Sequence, residues 1–370
     1  MATTTLTDDL PPALQRKQWA YAIVFLPLLL PWQGLRFGTL TGYELLSLYW
    51  TPIVVFGVVP VIDGLLGRDT VNPSDEQARA MAATRWYVWL TLLCLPLQLW
   101  NVLSGVVVAS ELDGVAAWLG WTLSIGTISS VMAITVAHEL IHKNDKIEQL
   151  TGGILLATVC YGGFKVEHVR GHHVHVSTPE DASSARFGES LYAFVPRAIY
   201  RNVRNAWRLE AQRLQQKGLP VWSRHNELLG WHGLSAAFAL LLLAVFGWSG
   251  VLLFFGQSLV AIVLLETVNY IEHYGLHRRR GEDGRYERVT HQHSWNSSHR
   301  LSNLLLFHLQ RHSDHHAFPK RRYPILRHFD DSPQLPAGYP AMVVLAWLPP
   351  LWFAVMNPRV QAYYGGAPQR

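Results

Sequence analysis

Six long apolar stretches constrain the fold of this 370-residue chain more than any other feature of its sequence. A transmembrane helix needs about 20 mostly apolar residues to cross the hydrocarbon core of a bilayer. Only 15% of the residues are charged, whereas soluble domains average about 25%. We therefore predict an all-α integral membrane protein with six transmembrane helices, at 19–38, 43–64, 86–109, 115–138, 229–247 and 250–271. The first stretch is the least regular, because Pro27, Pro31 and Arg36 interrupt it.

The distribution of the 31 Lys and Arg residues predicts the orientation of these helices. Segment 143–228 holds twelve of them, the tail from residue 273 holds thirteen, and five more flank helices on the same side. The predicted outer loops hold only Arg36. Because basic residues concentrate in cytoplasmic loops, both termini are expected on the cytoplasmic side. No segment has the form of a nucleic-acid-binding module, so the basic charge is assigned to topology.

The chain is expected to consist of four regions, which alternate between membrane and cytoplasm. They are the first four transmembrane helices (1–142), a cytoplasmic insertion (143–228), helices five and six (229–272) and a cytoplasmic C-terminal region (273–370). Within the insertion, 189–217 is expected to form a helix. Asp8 and Asp9 replace the basic start of a signal peptide, so no cleaved leader is predicted. Segment 341–356 is interrupted by two prolines and is expected at the membrane interface.

Histidines recur in spaced clusters that this topology places at one membrane face. His138 and His142 end the fourth predicted span, where i,i+4 spacing puts both imidazoles on one helix face. The other clustered histidines are His168, His172 and His173 in the insertion, His273 at the end of the sixth span, and His312, His315 and His316 in the tail. Nine desolvated imidazoles would be costly without partners, so the pattern predicts a His-rich di-metal domain on the cytoplasmic side.

The nine remaining histidines show no such spacing. A single His at a helix end is typically a surface or capping residue, and we assign that role to His175, His225, His232, His277, His291, His293, His299, His308 and His328.

The donor types narrow the choice of metal. Two cysteines, Cys94 and Cys160, are too few for an iron–sulfur or Cys-ligated zinc site and are expected to be packed thiols. Imidazoles suit zinc, copper, iron or nickel, but nine exceed what one zinc ion uses. Two ions with four or five imidazoles each would use them all, and iron is the first choice for a metal that cycles its oxidation state beside oxygen. The carboxylate di-iron pattern needs two Glu-x-x-His motifs, and only Glu139–His142 provides one.

Two other classes of protein share part of this pattern. His138-Glu-x-x-His142 matches the zinc-metalloprotease motif, in which the glutamate acts as the base. An intramembrane zinc protease, however, has no use for seven further clustered imidazoles. A metal transporter would need polar groups across the bilayer, and the predicted spans hold few.

The histidine clusters also resemble the signature boxes of the membrane-bound alkane 1-monooxygenases, within the integral-membrane di-iron desaturases and hydroxylases. The boxes are HELIHK (138–143), EHVRGHH (167–173), NYIEHYGL (269–276) and LQRHSDHHA (309–317), and the last two are typical of alkane hydroxylases rather than fatty-acid desaturases. The resemblance extends to EDGRYE (282–287) and SWNSSH (294–299). Ile141 stands where the first box often has glycine, which should change packing more than ligation.

The resemblance implies six transmembrane helices and two non-haem iron ions held by nine histidines, the same nine that spacing selects. The implied reaction is terminal hydroxylation of a linear alkane to a 1-alkanol with O₂, two electrons and two protons. Rubredoxin would supply the electrons after reduction by an NAD(P)H-dependent reductase, and the enzyme would lie in the bacterial inner membrane. A fatty-acyl desaturase or an alkylaromatic methyl hydroxylase of the same class remains the alternative.

Further site residues follow from proximity in the sequence. Carboxylates that adjoin the boxes are expected to fix imidazole tautomers, although direct ligation or capping stays open for some; they are Glu139, Glu167, Asp181, Glu272 and Asp314. A docking patch for an acidic electron donor is predicted at Arg278, Arg279, Arg280, Lys320, Arg321 and Arg322. The alternative is that these charges only enforce topology.

An apolar substrate also needs an apolar tunnel to the metals. Candidate tunnel residues on the second span are Tyr49, Trp50, Val55 and Phe56. Some members of the family carry a bulky aromatic residue near position 55, which limits chain length. Because Val55 is small, tolerance of alkanes longer than medium chain is expected.

Overall fold

A computed structural model describes residues 10–366 of the chain, and within that range it contains helices and isolated bridges but no strand. Residues 1–9 and 367–370 lie outside the described range, so the expectation about Asp8, Asp9 and a leader falls outside it. The all-α prediction is confirmed for the described part. Cys94 and Cys160 are both free thiols, as expected, with Cys94 buried in the core.

Within residues 10–366, four helices are long and apolar enough to cross a membrane: Pro12–Thr41, Arg85–Ala109, Val115–Leu140 and Glu227–His273. Trp50–Leu66 is apolar but shorter. The chain is thus an integral membrane protein by length and composition of its helices, while the count of six spans stays a prediction.

The predicted spans differ from these helices at their ends and breaks. Glu227–His273 covers both the fifth and the sixth predicted span, and Gly247, at φ 65°, interrupts its helical geometry. Since a positive φ costs glycine little, this residue sets the break. The first helix begins at Pro12, earlier than predicted, and contains a 3₁₀ segment, Tyr21–Leu29, around Pro27. Proline lacks the N–H that an α-helical turn requires, which accounts for the altered winding there.

The remaining helices are mostly short and lie in the loops, the insertion and the C-terminal region. They are Glu44–Ser47, Asp75–Ala83, Lys146–Ala157, Gly163–Glu167, a π-turn at His168–His172, His173–His175, Leu191–Gln216, Arg300–Leu305, His312–Ala317, a 3₁₀ turn at Tyr323–Ile325, Tyr339–Ala346 and Pro349–Tyr364. The helix expected at 189–217 is confirmed as Leu191–Gln216, and the Ser190 side chain caps it. Tyr339–Ala346 and Pro349–Tyr364 meet at 119°, so the segment around 341–356 is not one straight span.

Val115–Leu140 lies at the centre of the molecule and is the most buried of the long apolar helices. It packs against Glu227–His273, Arg85–Ala109 and the helix that follows it, Lys146–Ala157. Ile134, Val136, Ala137 and Leu140 belong to the largest apolar cluster of the described residues. The fourth span therefore holds His138 in a rigid, desolvated position.

Polar contacts fix the C-terminal region under the ends of the membrane helices. Asp63, at the end of Trp50–Leu66, accepts hydrogen bonds from the backbone N–H groups of Leu301 (2.9 Å) and Ser302 (3.2 Å). The carboxylate thus caps the N-terminus of Arg300–Leu305, where backbone N–H groups lack helical partners. The buried Arg311 guanidinium donates to the backbone carbonyls of Leu326 (2.6 Å) and Asp69 (2.7 Å). These bonds bring His312–Ala317 close to His138.

Candidate metal centre

The structure gathers the nine clustered histidines into two adjacent groups, each with its candidate ligand atoms within 4.8 Å of one another. The five-histidine group consists of His138, His142, His168, His173 and His315. The four-histidine group consists of His172, His273, His312 and His316. Ring centroids of His173 and His316 lie 4.3 Å apart, so the groups share a boundary. This division corresponds to the four or five imidazoles per ion expected from the sequence.

Pairs of consecutive histidines supply one imidazole to each group. His172 and His316 lie in the four-histidine group, whereas their neighbours His173 and His315 lie in the five-histidine group. Successive helical side chains point about 100° apart, so one dipeptide reaches two sites. The two HH dipeptides therefore fix the position of one group relative to the other.

His168 and His172 are four residues apart, as His138 and His142 are, but they lie in different groups. A π-turn at His168–His172 replaces regular α-helix there. In a π-turn the backbone bonds join residues five apart, and the His173 N–H indeed bonds to the His168 carbonyl. His168 Nε2 therefore lies 3.1 Å from His173 Nε2. The pairs His138/His142 and His312/His316 do share a group, as expected.

The imidazole nitrogens face one another inside both groups. In the four-histidine group, His316 Nε2 lies 2.9 Å from His312 Nε2 and 3.2 Å from His172 Nε2. In the five-histidine group, His315 Nε2 lies 3.2 Å from His173 Nε2. All nine residues are buried or nearly so. Two nitrogens at such a distance share at most one proton. In each group, therefore, at least some Nε2 lone pairs are directed at the space between the rings.

The protonation of these rings suits metal binding. Burial holds the pKa of His168, His173 and His315 well below the usual range, so each ring is neutral near pH 7. Only a neutral imidazole offers a lone pair to a metal ion. The buried Nε2 atoms of His138 and His142 have no hydrogen-bond partner among the described residues. Unpartnered, buried donor atoms of one type fit an all-imidazole metal site.

Two of the five predicted carboxylates contact imidazoles, and both contacts are in the four-histidine group. Asp181 Oδ2 lies 3.0 Å from His172 Nδ1 and also accepts a hydrogen bond from the Ser184 hydroxyl at 2.6 Å. Burial opposes ionisation of Asp181, but the pair with His172 and this hydroxyl outweigh it and hold the pKa at about 2. The carboxylate fixes the Nδ1 proton of His172, so that Nε2 points into the group.

Glu272 differs from Asp181 in the ring nitrogen that it contacts: Asp181 lies at an Nδ1 atom, whereas Glu272 lies at an Nε2 atom. Its Oε2 lies 3.1 Å from His312 Nε2, the same nitrogen that faces His273 and His316. Its other oxygen accepts a hydrogen bond from the Tyr339 hydroxyl at 2.7 Å. The carboxylate therefore projects among the candidate ligand atoms rather than behind them.

The other three carboxylates bond to groups other than imidazoles. Glu139 pairs with Lys143 at 2.9 Å, and Asp314 accepts from Arg321 at 2.6 Å. Glu167 lies buried beside Gly171, and burial raises its pKa to about 8. These contacts anchor the segments that carry the histidines.

An apolar cavity approaches the five-histidine group from the membrane helices. Val55 and Phe56 line it together with residues of the fourth and sixth spans and of the helix that begins at Tyr339. A smaller cavity lined by His138 and His315 shares Leu306 and Leu309 with it. Two of the four predicted tunnel residues therefore lie on a path to the histidines.

The other two predicted tunnel residues lie elsewhere. The Tyr49 hydroxyl donates to the Ala116 carbonyl at 2.7 Å, and Trp50 stacks on Phe37 with ring centroids 4.9 Å apart. Both pack against neighbouring helices rather than line the cavity.

Only some residues of the predicted docking patch are exposed. Arg279, Arg280 and Lys320 are exposed. Arg321 and Arg322 are instead held in ion pairs, with Asp314 at 2.5 Å and Glu148 at 2.6 Å.

One histidine assigned to the surface is buried: His308 is 1% exposed, and its Nε2 lies 2.8 Å from the Tyr21 hydroxyl. The surface assignment is wrong because the first helix covers this ring. No local signal identifies the pair, since its two members are 287 residues apart. His293 and His299 are also largely buried, at 7% and 9% exposure.

Comparisons with known proteins agree with this site. The model of the fatty acid desaturase family matches residues 114–357. The chain is 59% identical to alkane 1-monooxygenase 1 of Pseudomonas aeruginosa over 317 residues, which are 85% of this chain and 83% of the relative. It is 54% identical to alkane 1-monooxygenase 2 of the same organism over 353 residues (94% and 92%). It is 51% identical to alkane 1-monooxygenase 2 of Alcanivorax borkumensis over 331 residues (86% and 85%).

Proposed function

The chain belongs to the fatty acid desaturase family and, within it, to the alkane 1-monooxygenases, and from this we propose how its site works. Two non-haem iron ions occupy the five- and four-histidine groups. The enzyme converts a linear alkane and O₂ to a 1-alkanol and water, and it takes two electrons from a rubredoxin and two protons from water. An NAD(P)H-dependent reductase reduces the rubredoxin.

The observation that carries the proposal is the sorting of nine buried imidazoles into two groups with converging donor atoms. One ion cannot use nine imidazoles, and a zinc site needs only three or four protein ligands. The chemistry that two bound iron ions supply is the reductive activation of O₂ for attack on an unactivated C–H bond. The protein residues hold, surround and orient that centre.

Binding of the alkane is assigned to the apolar cavity beside Val55 and Phe56. An alkane dissolved in the bilayer enters between the helices and meets mainly apolar side chains there, together with the hydroxyl-bearing residues Thr127, Ser130, Thr135 and Tyr339. Transfer of its methylenes from water favours an apolar environment by about 0.8 kcal/mol each, so the alkane stays within the bilayer and the cavity rather than in water. Leu306 and Leu309 then guide the chain end towards His138 and His315.

Orientation of the ligands is assigned to the carboxylates. Asp181 holds His172 with Nε2 directed inwards, the role that carboxylates commonly have behind metal-bound imidazoles. Glu272 is positioned to ligate, or to accept a proton beside His312, from within the four-histidine group. Glu139, Glu167 and Asp314 fix the segments on which the histidines lie.

Electron delivery is assigned to the cytoplasmic face, where Arg279, Arg280 and Lys320 remain exposed. In the proposed topology both termini, the insertion 143–228 and the C-terminal region 273–370 face the cytoplasm of a bacterial inner membrane, with six spans. Positive charge at this face increases the association rate with an acidic donor. Replacement of these three residues by glutamate should slow reduction severalfold and weaken its salt dependence. Unchanged rates and salt dependence would exclude this surface.

Metal analysis combined with turnover tests the proposal directly. Purified protein loaded with iron should hold two irons per chain and convert n-octane to 1-octanol when rubredoxin, reductase and NADH are all supplied. Omission of rubredoxin should remove the product. One zinc per chain together with peptide hydrolysis would instead establish a protease, and a desaturated acyl product would establish a desaturase.

A further inference from the structure

A chain of aromatic rings leads from the five-histidine group to the molecular surface. It consists of Tyr323, Tyr21, Tyr87, Trp86 and Trp19, which we call the aromatic path. Ring centroids lie 5.0 Å apart for Tyr323 and Tyr21 and 5.9 Å for Tyr21 and Tyr87. Trp86 adjoins Tyr87 in the chain, and its ring lies 4.7 Å from that of Trp19. These three ring separations correspond to rings in contact, while the step from Tyr87 to Trp86 runs between consecutive residues of one helix.

The inner end of the aromatic path lies at the metal site. The Tyr323 N–H donates to Glu139 Oε1 at 3.2 Å, and Glu139 follows His138 in the chain. Phe307, whose ring lies 4.9 Å from that of Tyr323, lines the small cavity that His138 and His315 also line. Electron transfer from Tyr323 to the five-histidine group therefore passes through few intervening residues.

The outer end of the path reaches the surface at the polar end of Pro12–Thr41. Trp19 is 62% exposed, whereas Tyr21 and Tyr87 are fully buried. The Trp86 indole N–H donates to the Gln18 carbonyl at 2.9 Å, which fixes the two tryptophans beside each other. The path thus connects a closed interior to a tryptophan that the protein leaves largely uncovered, near the polar end of this helix.

Among the three tyrosines of the path, only Tyr21 has a basic side chain within hydrogen-bond distance of its hydroxyl. Its hydroxyl lies 2.8 Å from His308 Nε2, within the distance at which a base can take a proton. The Tyr323 hydroxyl bonds to a backbone carbonyl, which is a poor base, and the Tyr87 hydroxyl has no partner among the described residues. Oxidation of a phenol near neutral pH requires that its proton leave with the electron. Tyr21 is therefore the tyrosine of the path that can form a neutral radical.

The backbone that presents His308 is strained. Phe307 and His308 both have positive φ angles, 50° and 55°. Side-chain-bearing residues seldom adopt this conformation, and such strain is often found where a site needs it. Phe307 packs on Tyr323 and lines a cavity with His138 and His315, and His308 has its Nε2 2.8 Å from the Tyr21 hydroxyl.

We infer that the aromatic path carries one-electron oxidising equivalents away from the metal centre when no alkane is bound. This inference goes beyond the proposed hydroxylation but rests on it for the oxidant. Tyr21 gives one electron through Tyr323 to the oxidised metal centre and one proton to His308 Nε2, which leaves a neutral tyrosyl radical and an imidazolium. Trp86 then gives an electron across Tyr87 to Tyr21, which takes its proton back. Trp19 reduces Trp86, and a low-molecular-weight thiolate in water reduces Trp19 and becomes a thiyl radical.

The function of this path is protection of the site. Each event reduces the metal centre by one electron at the expense of one thiolate, and no protein bond is changed. Without it, the same equivalent would oxidise the imidazoles, Phe164 or Phe307, which lie nearest the site.

The test compares Tyr21→Phe with wild type and with Tyr200→Phe, which removes the hydroxyl of an exposed tyrosine far from the path. Iron-loaded protein is reduced and exposed to O₂ without alkane, frozen at intervals and examined by electron paramagnetic resonance. A tyrosyl signal that narrows with ring-deuterated tyrosine is expected in wild type and Tyr200→Phe but not in Tyr21→Phe. Peptide mass spectrometry should show oxidation at Trp19 in the first two proteins. In Tyr21→Phe it should show several times more oxidation of His138, His315 and Phe307.

A second variant, His308→Gln, keeps the Tyr21 ring and removes its base, so it should diminish the radical severalfold. Iron content and initial octane turnover, measured for every protein, verify that each variant is folded. Octane hydroxylation in wild type without a Tyr21-dependent radical, or an unchanged pattern of oxidised residues in Tyr21→Phe, would overturn the aromatic path alone. Absence of octane hydroxylation in wild type would overturn the proposed function and the path together.

Discussion

The two histidine groups are built from the same residue type but lie in different surroundings. Among the described residues, no carboxylate is bonded to an imidazole of the five-histidine group, and two of its members, His138 and His315, line a small cavity that shares Leu306 and Leu309 with the apolar cavity. The four-histidine group contains the contacts to Asp181 and Glu272. Asp181 in turn lines a cavity of about 740 Å³ that also contains Arg186, Arg197 and Arg201.

This difference shows how one site serves two kinds of reactant. Under the proposed function, the apolar side admits the hydrocarbon between apolar side chains. The carboxylate side holds the tautomer of His172, and Asp181 also lines a cavity bordered by charged groups. Each of the following predictions tests whether the two groups are as different in function as they are in surroundings.

The largest effect is expected from loss of one ligand in each group. His312→Ala and His315→Ala should each abolish alkane oxidation, because neither ion works alone, while insertion into the membrane stays intact. Each variant should retain about one of two irons, from opposite groups, as measured by metal analysis of the purified protein. His225→Ala, at an exposed histidine, is the matched control. Retention of both irons and of activity in either variant would remove that residue from the ligand set.

Asp181→Asn should have the next largest effect and should act on the four-histidine group. Loss of the carboxylate behind a metal-bound imidazole commonly costs about 10–100-fold in metal affinity or activity. Iron titration of the metal-free protein should show one weakened site and one unchanged site. Glu180→Gln, the exposed neighbour, should bind iron as wild type does. Equal weakening of both sites would show that the groups are not independent.

Val55→Trp should act only on the apolar side. The larger side chain fills the cavity that Val55 lines, so turnover of long alkanes should fall roughly tenfold relative to short ones, a typical discrimination for an apolar pocket. The measurement is product formation over a series of n-alkanes of increasing length, with iron content as the control for folding. An unchanged chain-length profile would place the substrate elsewhere.

The smallest effect is expected in the pH dependence of the metal-free protein. Burial lowers the pKa of His168, His173 and His315 in the folded state, so only the unfolded chain binds protons there as pH falls below about 6.5. Stability that these groups contribute is present above that pH and lost below it, by at most about 1.4 kcal/mol per group per pH unit. The unfolding temperature of metal-free protein should therefore fall between pH 7 and pH 5.5.

His172 should oppose this trend. Burial lowers its pKa, but Asp181 outweighs burial and raises it, so its contribution is present at low pH and is lost as pH rises through the folded-state value. Asp181→Asn removes this contribution, and the fall in unfolding temperature towards pH 5.5 should become steeper. Parallel pH profiles for Asp181→Asn and wild type would contradict the difference between the groups.

Sequence patterns predicted the chemistry of the site better than its geometry. Spacing selected all nine histidines that the structure brings together, because i,i+4 repeats and HH dipeptides are local properties of the chain. Spacing did not assign each histidine to a group: a π-turn at His168–His172 shifts the register by one residue, and nothing in EHVRGHH indicates that turn. For the carboxylates, closeness in sequence to a histidine did not predict contact with an imidazole. Asp181 and Glu272 contact imidazoles, whereas Glu139 and Asp314 do not.

Two kinds of information thus combine in this protein. The sequence by itself determined the membrane class, the nine histidines that cluster and the family, because apolar length, histidine spacing and motif identity are all encoded in short stretches. Only the tertiary structure decided which imidazole joins which group, that Glu272 faces the ligands, that Val55 but not Tyr49 reaches the cavity, and that His308 meets Tyr21. These depend on contacts between residues far apart in the chain, which helix packing creates and no local pattern specifies.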